Sequence, residues 1–160
     1  MENFYSQKLL EHFRNPHNWG RIKNPDGKGE VGNIVCGDVM HLYIKVKKDK
    51  KGKEKIEDVK FETLGCPAAI ATSSVLTDLV KGKTLSEALK VKREDIVKSL
   101  GGLPKMKIHC SVLAIDALCE AIYDYFKRQK KPIPKEIQKR HQRIQREKKL
   151  IEEKYKEWLK

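Results

Sequence analysis

No stretch of this 160-residue chain is apolar over the roughly 20 residues that a membrane-spanning helix needs. Met1-Glu2-Asn3-Phe4-Tyr5 carries neither the basic start nor the apolar core of a secretion signal, so a cytoplasmic protein is expected. Aromatic residues are few, at 7%, and the hydrophobic fraction of 39% is enough for one modest core. No long-period internal repeat is present. There are only 4 cysteines, and their separations match no compact zinc-finger pattern. In a reducing compartment such thiols are ligands or nucleophiles rather than disulfide partners.

Acidic residues are in the minority, and the imbalance is local. Residues 127–160 hold 14 Lys/Arg against 5 Glu, whereas residues 1–126 hold 21 against 17 acidic groups. The body is therefore nearly ordinary and the basicity belongs to the tail. A basic tail can meet nucleic acid, acidic proteins or anionic lipid, but charged helical faces most often simply contact water. Abundant Lys and Glu also suit a thermophile's surface.

Periodicity then orders the chain. Phe4, Leu9, Leu10 and Phe13 fall near one helical face and predict a helix over 3–14, stopped by Asn15-Pro16. Residues 15–33, rich in Gly, Pro and Asn, read as a loop, with a strand expected around 31–35. Met40, Leu42, Ile44 and Val46 alternate, as do Val59, Phe61 and Thr63, predicting strands over 39–47 and 57–64 around a charged hairpin loop. From Pro67 the pattern turns helical and runs to Gly82. Thr84-Leu85-Ser86-Glu87 matches a capping box for a short helix, Arg93–Leu100 predicts another, and Ser111–Phe126 a long one. A helix, then antiparallel strands, then helices is an α+β order. Pro132 and Pro134 mark a boundary, dividing a domain over 1–130 from a basic helical extension over 131–160. In that extension Ile137, Ile144, Ile151 and Trp158 recur every seven residues, a stripe too narrow for a strong coiled coil but able to dock on the body or a partner.

Three cysteines sit in contexts suited to holding metal: Cys36-Gly37-Asp38, Gly65-Cys66-Pro67 and His109-Cys110-Ser111. Cys66 closes a strand and precedes a helix-starting proline, which places it at the helix N-cap. Cys110 stands where a loop meets the last core helix. The positive end of a helix favours a thiolate at both places, and thiolate is the form that binds metal and attacks sulfur. Asp38 and His109 are near enough in sequence to complete such a site. Each residue also has a plainer reading: Cys66 as a buried core thiol, Asp38 as a turn residue, His109 as a structural histidine. Spacing does not decide between these, since 29 residues separate Cys36 from Cys66 and 43 separate Cys66 from Cys110. Cys119 lies mid-helix and reads as a bystander. His12, His17, His41 and His141 share no motif with the cysteines.

Longer segments narrow the choice. Val31-Gly32-Asn33-Ile34-Val35-Cys36-Gly37-Asp38-Val39-Met40, the stretch Phe61 to Ser74 around Cys66, and Lys107-Ile108-His109-Cys110-Ser111-Val112-Leu113-Ala114 resemble, in order, the three signatures of the IscU/NifU-type iron–sulfur scaffold proteins. Tyr5 to Gly20 and Lys81-Gly82-Lys83-Thr84-Leu85 are similar to that family too. The resemblance implies an α+β domain with its metal site at one end of a small antiparallel sheet of about three strands. It implies assembly of a transient [2Fe-2S] cluster from iron and persulfide sulfur supplied by a cysteine desulfurase, with an electron donor such as ferredoxin and apo-protein recipients. Cys36, Cys66 and Cys110 carry over as ligands or sulfur acceptors, and Asp38 and His109 as exchangeable fourth ligands. Zinc would suit the same residues in a cluster-free form.

Three departures matter. Pro67 stands where the family usually has glycine. Leu103-Pro104-Lys105-Met106-Lys107 replaces the family's Leu-Pro-Pro-Val-Lys motif, which speaks against a dedicated Hsp70-type chaperone partner. The tail has no counterpart in the basic family pattern and lacks the cysteines of a second cluster domain.

The leading expectation is a non-enzymatic scaffold, with a homo-oligomer left open. The alternative is a zinc-binding sulfur-transfer protein of SufU type, though His109 and the short Cys66–Cys110 interval argue against it. A nucleic-acid role for the tail is weak, because Tyr155 and Trp158 alone could stack on bases.

Overall fold

The computed structural model describes residues 4–33 and 38–158. Helix α1 (Gln7–Arg14) leads to a three-stranded antiparallel sheet of β1 (Gly27–Asn33), β2 (Asp38–Lys48) and β3 (Glu54–Leu64), in that spatial order. Helices α2 (Pro67–Val80), α3 (Leu85–Leu89), α4 (Arg93–Ser99), α5 (Ile108–Arg128) and α6 (Lys135–Trp158) follow. This is the α+β order read from periodicity. No helix among the described residues is long and apolar enough to cross a membrane.

The alternating residues of β2 and β3 build the inner face of the sheet. Met40, Leu42 and Ile44 are fully buried, and they pair across the ladder with Thr63, Phe61 and Val59. Helices α2 and α5 pack on this face. Helix α2 is buried almost all round. Its Thr72 and Ser73 hydroxyls survive burial by donating back to the Ala68 and Ala69 carbonyls at 2.8 and 2.7 Å.

Strand β1 begins at Gly27, where a loop was expected, and is described to Asn33; residues 34 and 35 of the expected strand lie outside the described residues. The glycines that weaken its strand signal have a structural purpose. A Cβ on Gly27 would lie 2.2 Å from the Ala121 carbonyl oxygen, and one on Gly29 would lie 2.1 Å from that of Ala117. Bare backbone on β1 therefore meets the small-residue face of α5 directly.

The remaining expected loop is also anchored. The Phe61 N–H donates to the Asn18 carbonyl at 3.0 Å, and the Gly20 N–H donates to the Phe61 carbonyl at 2.9 Å. Residues 18–20 thereby cover part of the free edge of β3. Helix α1 starts at Gln7 rather than residue 3, because Ser6 caps it by accepting from the Leu9 N–H at 3.1 Å. Of its apolar stripe, Leu9 is buried, whereas Phe4 and Phe13 are exposed. At α3 the Thr84 side chain accepts from the Glu87 N–H, as the capping sequence requires.

Helix α6 docks with its first half. Ile137 and Ile144 are buried, Ile151 is half-buried, and Trp158 is 90% exposed. The seven-residue stripe therefore peels away from the body along its length. Polar contacts reinforce the docked half, since α5 presents two nearly buried carboxylates, Asp116 and Glu120. Arg143 donates to Asp116 at 2.8 Å. His141 bonds Glu120 at 2.7 Å and stacks on Tyr123 at 3.7 Å between ring centres. Burial pushes the Asp116 carboxyl above its usual range and Arg143 opposes that shift.

Two outcomes follow from this packing. Gly29→Ala would force a methyl onto backbone atoms that cannot move independently, and should lower stability by about 3 kcal/mol or more in chemical denaturation. Deleting residues 133–160 removes two buried isoleucines, worth on the order of 3 kcal/mol before ordering costs, and strands Asp116 and Glu120. The melting temperature should fall by several degrees while the circular dichroism of the remaining domain stays native-like.

Candidate metal centre at one end of the sheet

The first two motif segments meet at one end of the sheet. The β1–β2 ladder closes at Asn33 opposite Asp38, and Val39 lies opposite Leu64, the last residue of β3. Cys36 falls outside the described residues. Asp38 is described only in its backbone, as the first residue of β2.

Cys66 is the N-cap of α2, with extended φ and ψ of −76° and 169° and Pro67 in the first helical turn, as the sequence implied. Its carbonyl accepts from the Ala69 and Ile70 N–H groups at 3.0 and 3.2 Å. Cys110 lies in the first turn of α5, which begins three residues earlier than periodicity suggested. Two helix N-termini thus converge, and their partial positive charge faces the sulfurs. Thr72 ties the two together, because its hydroxyl reaches the Cys110 carbonyl at 3.3 Å as well as its own helix.

Two donor separations match those of ligands sharing a metal ion, although the Cys66 sulfur and the His109 ring do not themselves come that close. The Cys66 and Cys110 sulfurs are 3.7 Å apart. The Cys110 sulfur is 3.6 Å from His109 Nε2. A tetrahedral ion with sulfur at about 2.3 Å and nitrogen at about 2.0 Å separates two sulfurs by about 3.8 Å, and sulfur from nitrogen by about 3.5 Å. Cys110, fully buried, is the middle member, and Cys66 is half-buried. No disulfide joins the described cysteines.

Cys119 stands apart. It is buried mid-helix, and burial pushes its thiol up to about 11, so it is protonated and unreactive at neutral pH. Tyr5 is a neighbour that motif reading passed over. Its hydroxyl pKa is raised first by burial and then by the Cys66 charge, with Cys110 adding to the effect and Lys107 opposing it. Only its place within a family-like stretch hinted at this position. Exposed Leu64 and Met106 flank the centre in sequence, at 77% and 67% of their accessible surface.

The chain belongs to the family described as the NifU-like N terminal domain, whose model matches residues 4–132. Among its relatives is the iron-sulfur cluster assembly scaffold protein IscU 1 of Archaeoglobus fulgidus. That protein is 57% identical over 124 residues, which are 78% of this chain and 78% of the relative. The IscU scaffold protein of Escherichia coli K12 is 50% identical over 124 residues, covering 76% of this chain and 93% of the relative. Among solved structures, a putative scaffold protein for the SUF system from Fervidobacterium islandicum superposes with a TM-score of 0.58 at 26% identity. It covers 74% of this chain and 96% of that one.

Cys66→Ala or Cys110→Ala should each abolish tight binding of cobalt(II) at this centre, read as loss of the intense sulfur-to-metal absorption. Cys119→Ala should leave that absorption unchanged, because its thiol stays protonated and buried.

Proposed function

We propose that this chain is a scaffold on which a transient [2Fe-2S] cluster is built and from which it is passed to apo-proteins. The observation that carries this reading is the pair of thiol sulfurs held 3.7 Å apart over two converging helix N-termini, in a family whose named relatives are IscU scaffolds. The cluster is cargo here, so the chain needs no catalytic group of its own. Cys66 and Cys110 supply two thiolates and Cys36 a third. A permanent cluster takes four. His109 and Asp38 compete for the fourth position, and an imidazole or a carboxylate holds cluster iron less firmly than a thiolate does.

Sulfur bookkeeping defines the partners. A persulfide from a cysteine desulfurase delivers sulfur at the zero-valent level, and each atom needs two electrons to become cluster sulfide. An electron donor of ferredoxin type is therefore part of the system, alongside the desulfurase and the recipients. The division we propose is a scaffold domain over 1–130 and an accessory extension over 131–160. A cytoplasmic setting suits the free thiols.

A second reading rests on the same distances. Each of the two separations suits a pair of zinc ligands as well as a pair on cluster iron, so zinc can occupy the centre when no cluster is present, or serve a SufU-type sulfur-transfer role.

Anaerobic reconstitution with iron, sulfide and reductant should give the visible charge-transfer bands of a [2Fe-2S] centre, and Cys36→Ala, Cys66→Ala and Cys110→Ala should each prevent it. A colourless protein retaining one zinc would favour the sulfur-transfer reading. Asp38→Ala should slow decay of the cluster absorbance in air and slow transfer to an apo-ferredoxin. Decay as fast as wild type would show that Asp38 does not labilise the cluster.

A further inference from the structure

A second set of metal-binding side chains lies on the opposite half of α2. His12 on α1, His17 in the following loop and Asp78 near the end of α2 each offer one ligand atom, and the three atoms lie within 4.8 Å of one another. Asp78 is twelve residues beyond Cys66, about 18 Å along a straight helix, so it cannot share an ion with the thiols.

The surroundings hold these groups in place. Buried Ser74 contacts His12 Nδ1 at 2.8 Å and accepts the His17 backbone N–H at 2.8 Å, fixing one ring and the start of the loop that carries the other. The Asp78 carboxylate is 2.5 Å from His17 Nδ1 through one oxygen, and accepts from Asn18 Nδ2 at 3.3 Å through the other. Asn18 also donates to Thr77 and sits at a positive φ of 58°, which turns the loop back over α2. The imidazoles lie 4.6 Å apart between centres. Two imidazoles and a carboxylate, with His12 oriented by Ser74 and Asp78 by Asn18, is the arrangement by which proteins position ligands for first-row transition ions. Burial, then the His17 ring, lowers the His12 pKa, against the smaller opposing effects of Asp78 and Glu11. An ion with bonds of about 2.0–2.2 Å needs its ligand atoms about 3–4 Å apart, a small side-chain adjustment from the observed spacing.

We propose that His12, His17 and Asp78 form a second, exchangeable binding site for a divalent first-row transition ion, independent of the thiol centre. Three protein ligands leave positions open to water, so the ion is held reversibly. The site does not depend on whether the thiols carry a cluster or zinc.

The test is a cobalt(II) titration of the full chain followed by amide NMR. The expected result is saturable paramagnetic broadening of amides around residues 12, 17–18 and 74–78, in addition to any around Cys66 and Cys110. His17→Gln and Asp78→Asn, both at exposed positions, should each weaken that binding by about tenfold or more. Cys66→Ala should not change it. Broadening confined to the thiol region would overturn the proposal. So would broadening that never saturates, or an unchanged affinity in both His17→Gln and Asp78→Asn.

Discussion

Between β1 and α5 the two backbones meet with no side chain separating them. At Gly27 and Gly29 even a single methyl would fall within about 2.2 Å of an α5 carbonyl oxygen. That contact sets the height of α5 above the sheet. Because α5 is one continuous helix of 21 residues, it also sets where its first turn arrives. Cys110 and His109 ride on that first turn. The position of two donor groups is thus decided about two turns away from them, at residues with no part in binding.

The second determinant is the burial of α2. A helix apolar or small on almost every side cannot rotate or slide without exposing core, so its N-cap is a fixed point. Thr72 bridges it to the start of α5. The sulfur pair is then held by two rigid helix ends rather than by loops, which suits a site that must receive and release cargo without collapsing when empty.

Helix α6 extends this frame. It satisfies the buried carboxylates of α5 with Arg143 and His141, and covers apolar surface with Ile137 and Ile144. Its far half carries the exposed Tyr155 and Trp158 away from the body. The basic tail is therefore an integral buttress at its start and a free charged helix at its end.

The sequence by itself determined the α+β order, the two long strands, the capped helix starts and the membership of Cys66 and Cys110 in motif contexts, because each depends on periodicity or on neighbours within a few residues. The docked half of the tail was legible too, as a seven-residue stripe, although only contact could show where docking stops. Strand β1 was not legible from its first residue. Glycine carries no strand preference, and the reason for Gly27 and Gly29 lies on a helix about ninety residues away. His12 and His17 share no motif with the cysteines, and nothing in the sequence joins them to Asp78, about sixty residues further on. The 3.7 Å between two sulfurs 44 residues apart was likewise a decision of the tertiary structure. Local pattern specifies which groups are suited to chemistry, and packing of distant backbones specifies which of them meet.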